Sequence, residues 1–68
     1  VHPRNLMKPV DEFVAAMVAC LTDDLHELFQ ERAAIRQYDG GQSRELAEAM
    51  ALIDVVRMHP KDALACWL

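Results

Sequence analysis

The chain has no uninterrupted apolar run approaching the ~20 residues of a membrane span, and no excess of positive charge. Eleven acidic residues face seven lysines and arginines, for a formal net charge of −4. Such a balance disfavours a surface built to neutralise phosphates or to sit on anionic lipid. The opening Val-His-Pro-Arg-Asn-Leu-Met-Lys-Pro carries no apolar core or cleavage site, so neither secretion nor anchoring is expected. Cysteine is scarce: Cys20 and Cys66 form no Cys-x-x-Cys motif and no paired Cys/His spacing of a zinc module. Without a disulfide framework, both read as reduced thiols of a cytoplasmic protein. With 68 residues there is room for one small domain, too little for most enzymes with a built-in cofactor fold. No strand, internal repeat or low-complexity segment is visible.

What is there is apolar residue in quantity. Hydrophobic side chains make up 53% of the chain, above the average for a soluble domain. A chain of this size buries only ~60% of the surface its unfolded form exposes, so the composition points to a partner chain that covers the rest. Four methionines, Met7, Met17, Met50 and Met58, add to this, because adaptable thioethers at helical spacing suit surfaces that meet partners as well as cores.

The pattern is helical. Residues 1–8, bracketed by Pro3 and Pro9, read as a flexible tail, and 9–68 as a single helical domain. Val10, Val14, Met17, Leu21, Leu25, Leu28 and Ile35 recur at steps of three and four. Pro9 suits a first helical position, with Asp11 and Glu12 at the positive end of the helix dipole. Thr22 followed by Asp23 and Asp24 is a good N-cap. The stripe keeps phase through it, however, so one rod over 10–38, bent near Thr22, is favoured over two helices. Such a rod would be roughly 43 Å long.

Asp39-Gly40-Gly41 is the clearest stop, and Ser43 caps the next helix, with Glu45 in its first turn. From Arg44 to Met58, Leu46, Ala49, Met50, Ile53 and Val56 share one face while Leu52 and Val55 lie well away from it. A helix apolar on two sides is normally buried on two sides. His59-Pro60 ends it, and Pro60-Lys61-Asp62 opens a short last helix carrying Ala63, Leu64, Trp67 and Leu68.

Few residues suggest chemistry. Asp23 and His26 are three apart on one helical face, the spacing of carboxylate-bridged metal sites in bundles, but one such pair is a fraction of the ligand set. His59 and Asp62 repeat the spacing across a helix break. Neither cysteine has a base or a cationic neighbour in sequence to activate it. Gly40-Gly41-Gln42-Ser43 between Arg36 and Arg44 can form an anion pocket at a helix N-terminus, although an ordinary turn explains it better. The same turn outlines a helix-turn-helix. Its second helix carries three acids against Arg44 and Arg57, which disfavours contact with base edges and phosphates. Arg32, Arg36 and Arg44 are the residues a nucleic acid or anion would use.

Residues 31–51 resemble a block found in proteins of bacterial plasmids, phages and integrated elements, both small uncharacterised proteins and larger primase-like ones. Glu31, Arg32, Ala33, Ala34, Ile35, Tyr38, Asp39, Gly40, Gly41, Arg44, Ala47 and Glu48 carry the resemblance, which spans under a third of the chain. It implies a genomic setting near replication or transfer machinery rather than an activity. Physically, Ile35 and Tyr38 pairing with Leu46 and Met50 across the Asp39-Gly40-Gly41 turn would account for the block.

The sequence therefore predicts an all-α protein, a small helical bundle or helical hairpin completed by dimerisation. Leu46, Met50, Leu52, Ile53, Val55, Val56 and Trp67 are the expected interface. No catalytic, cofactor or metal residues are assigned. The expected role is a non-enzymatic protein–protein interaction or accessory factor of a mobile element. A helix-turn-helix DNA-binding regulator is the alternative, and a metal-binding helical protein a remote one.

Overall fold

In the computed structural model, which describes residues 9–68, four α-helices follow one another: α1 Glu12–Ala19, α2 Asp23–Ala34, α3 Arg44–Met58 and α4 Pro60–Trp67. Among the described residues there is no strand. The expected tail, 1–8, lies outside them. Each helix starts where the sequence provides a side-chain oxygen or a proline. The Asp11 carboxylate accepts from the Phe13 and Val14 amides at 2.8 and 3.1 Å, so Asp11 is the cap of α1 rather than part of its first turn, and Pro9 lies before the helix. Thr22 Oγ1 accepts from the Leu25 amide at 3.3 Å, and Ser43 Oγ from the Leu46 amide at 3.2 Å. α4 opens on Pro60 itself, whose missing N–H is no loss at a helix start.

The single rod over 10–38 is not what forms. The Leu21 amide bonds back to the Val18 carbonyl at 3.0 Å, a tightening that ends α1. Thr22 then takes extended backbone (φ −63°, ψ 164°) before α2 begins. The cap wins because it satisfies an amide at the helix start that would otherwise lack a partner. Phase continuity of the leucine stripe was no guide, since Leu21 and Leu25 are both buried on either side of the break. Breaking the rod also shortens the molecule, whose extents are 31 × 28 × 20 Å. Its radius of gyration, 11.1 Å, is what a self-contained globule of this length shows (~11 Å). Rod length is therefore no reason for a second chain.

α2 runs into a π-helical turn, Ile35–Asp39, in which the Gly40 amide reaches the Ile35 carbonyl at 3.1 Å and the Gln42 amide the Arg36 carbonyl at 3.1 Å. Both glycines are needed. A Cβ on Gly40 would lie 2.8 Å from the Arg36 carbonyl oxygen, and Gly41 has φ +69°, a left-handed conformation that costs an L-residue roughly 1–2 kcal/mol. Gly41→Ala should lower stability by about 1 kcal/mol and Tm by about 4–8 °C. A calorimetric melt checks this.

Val14, Val18, Leu21, Leu25, Phe29, Ala33, Ala51, Leu52 and Val55 form one continuous core, with Met17, Leu28, Ala49 and Trp67 packed on its edge. α2 and α3 are its main walls, and small residues let them close: Ala47 and Ala51 are fully buried on α3, as is Ala63 on α4. The Trp67 indole N–H donates to the Met17 carbonyl at 2.9 Å, fastening α4 across α1. Cys20 and Cys66 are joined in a disulfide, with Cα atoms 5.9 Å apart, within the usual range for such a bond. Reading both as reduced thiols is thus corrected. A spacing of 46 residues carries no sign of which sulfurs the fold will bring together.

Candidate interaction surface

α3 is packed on one side only. Ala47, Ala51, Leu52 and Val55 face the core. On the opposite side Leu46, Met50, Ile53 and Arg57 follow at steps of four, three and four, which sets them in one line along the helix. Leu46 and Ile53 keep 49% and 48% of their surface exposed. Met50, and Ala49 and Val56 beside the line, are half-buried, and Arg57 is exposed. Of the face predicted from Leu46, Ala49, Met50, Ile53 and Val56, α3 turns Leu46, Met50 and Ile53 away from its own core, whereas Ala49 packs on the core's edge and Val56 is half-buried beside the line.

Other expected interface residues are elsewhere. Leu52 and Val55 are core, covered by the chain itself, because their side of α3 meets α2. Trp67 is half-buried and held by Met17. These three are withdrawn from the interface. The expected packing of Ile35 and Tyr38 on Leu46 and Met50 does not bury them: Ile35, Tyr38 and Leu46 are all exposed, and none of the four belongs to the core. The π-helical turn, rather than side-chain pairing, holds that corner. A separate exposed apolar pair, Val10 and Phe13, lies at the start of α1.

The three arginines do not converge on one anion site. Arg36 forks onto Asp54, its Nε at 2.8 Å from Oδ2 and its Nη2 at 2.9 Å from Oδ1, while Arg32 Nε reaches the same Oδ2 at 3.2 Å. Arg44 Nε donates to Glu48 Oε2 at 3.1 Å, and Glu48 Oε1 accepts the Val10 amide at 2.9 Å. Asp54 and Glu48 are buried, so these pairs lock α3 to α2 and to the start of α1. The hydrogen bonds from Arg36, outweighing burial and aided by Arg32, hold the Asp54 carboxyl below its ordinary value, and Asp54 raises Arg36 in turn. Charges engaged with carboxylates in this way are poorly placed to grip phosphate, which weighs against a DNA-reading helix.

Asp23 and His26 lie on α2, and among the described residues no group of three or more histidines, cysteines or acids is close enough to hold a metal ion. No described helix is long and apolar enough to cross a membrane. Sequence reasoning missed the two buried carboxylates. Asp54, a lone acid inside the run Leu52-Ile53-Asp54-Val55-Val56, was the available signal, since a charge inside an apolar helix has to find a partner. No protein-family model, curated protein or solved structure matches the chain.

Proposed function

We propose that this chain is a small non-enzymatic interaction protein that docks through the outer face of α3. A second copy of itself is the occupant. One observation carries the reading: the line Leu46-Met50-Ile53 is apolar and lies opposite the packed side of the helix. Charge favours a copy. Glu45 stands near the start of the face and Arg57 near its end, so two α3 helices crossing antiparallel about a twofold axis set acid against base at both ends, with helix dipoles opposed. Parallel pairing would set like against like. Met50 and Ile53 of one copy would then meet Ile53 and Met50 of the other.

A standard interface takes roughly 800 Å² per partner, about a sixth of the 4656 Å² surface, so the α3 face would form its centre rather than its whole. The resemblance of residues 31–51 to mobile-element proteins supports the setting of an accessory or regulatory factor beside replication or transfer machinery. Light scattering after size exclusion should give twice the chain mass at micromolar concentration, and Ile53→Asp should return it to one. A wild-type monomer at a hundred micromolar would end the proposal.

A further inference from the structure

Apart from the α3 face, the feature with most chemistry is a cleft of about 810 Å³ between the α1–α2 junction and α4, lined by Cys20, Cys66, Thr22, Asp24, His59 and Asp62 among others. The Cys20–Cys66 disulfide belongs to its wall, and Cys20 is exposed. Exposed disulfides are the ones that small thiols attack. The cleft also has a charge, since Asp24 on α2 and Asp62 on α4 both line it.

What the bond fastens is a weakly held element. α4 has eight residues, too few to be stable alone. Its fully buried residue is Ala63, and Trp67 adds its packing on the edge of the core and one hydrogen bond to Met17. The disulfide grips it at Cys66, one residue from Trp67.

We propose that the Cys20–Cys66 bond is a thiol-exchange site whose opening frees α4, and that its acidic cleft selects thiols carrying a positive charge over anionic ones. In the reaction a thiolate RS⁻ attacks the sulfur of Cys20, the exposed residue of the pair. The Cys20–Cys66 bond breaks as the new S–S bond forms, and Cys66 leaves as a thiolate that takes up a proton. A second RS⁻ attacks the mixed disulfide, giving RSSR and the Cys20 thiolate, which takes up a second proton from water. Two thiols are oxidised and one protein disulfide is reduced. Because the attacking species is the thiolate, cysteamine arrives with no net charge and mercaptoacetate with two negative ones, which Asp24 and Asp62 repel.

The test is to open the full chain with each reagent at equal thiolate concentration, every rate being divided by that reagent's rate on a small uncharged disulfide, because the two thiolates differ in intrinsic nucleophilicity. Maleimide adducts counted by mass spectrometry follow the thiols, and Trp67, the one tryptophan, reports α4 by its emission. Cysteamine should act roughly tenfold faster at low salt, with the ratio shrinking as salt screens the cleft and approaching one in the Asp24→Asn, Asp62→Asn double variant. Trp67 emission should rise and shift to the red as two adducts appear, while circular dichroism keeps the signal of α1 to α3. Equal rates for the two reagents at low salt overturn the proposal. So does a bond that opens only in denaturant, a Trp67 emission that ignores its opening, or free thiols persisting under oxidised glutathione.

Discussion

Val55→Asp should abolish the cooperative melting transition, whereas Ile53→Asp, two residues earlier, should melt within about 1 kcal/mol of the wild type. Val55 is 0% exposed in the middle of the core, between α2 and the inner side of α3. A carboxylate placed there has no cation to pair with, since the guanidinium groups of Arg32 and Arg36 already engage Asp54. An uncompensated buried charge costs several kcal/mol, against a total stability of about 3–10 kcal/mol for a chain this long. Ile53 keeps half its surface in solvent, and a charge at that position stays hydrated. The contrast has to be measured at low protein concentration, because self-association would add stability that Ile53→Asp removes. Loss of the transition in both variants would mean that the outer side of α3 is as buried as the inner one.

That pair of positions also marks how far the sequence could be read. Two apolar sides on α3 were visible from spacing alone, as were the turn at Gly40-Gly41, the Ser43 cap and the proline start of α4. Spacing could not say which side the chain would cover for itself. The choice fell to Ala47 and Ala51, whose small side chains let α2 approach closely, and to Asp54, which needed Arg32 of α2 and Arg36 of the π-helical turn that follows it. Phase continuity of the apolar stripe misled at Thr22, where a local cap outweighed it and made a compact molecule out of what looked like an overlong rod. The Cys20–Cys66 bond was out of reach for a different reason. Helical periodicity describes faces within one element, while a bond between the end of α1 and α4 depends on how all four elements close.

Asp54→Asn should destabilise the fold by about 2 kcal/mol and flatten its response to acid. The magnitude lies between the limits for exposed and for fully buried ion pairs, because Asp54 is buried while the side chains of Arg32 and Arg36 retain 34% and 24% of their exposure. Asparagine keeps the shape but offers one neutral oxygen where Arg36 now forks onto two charged ones. The acid response follows from the depressed carboxyl of Asp54. A group whose folded pKa lies below its unfolded value, about 3.9 for aspartate, contributes stability that is complete above that value and is lost as pH falls through the lower, folded one. Urea melts from pH 7 down through the ordinary aspartate value should therefore show the wild type's advantage over Asp54→Asn shrinking at the acid end, with the two curves converging only below the depressed folded value. Parallel curves over the whole range would mean that Asp54 titrates as it does in the unfolded chain, and that the Arg36 fork does not hold α3 to the π-helical turn after α2.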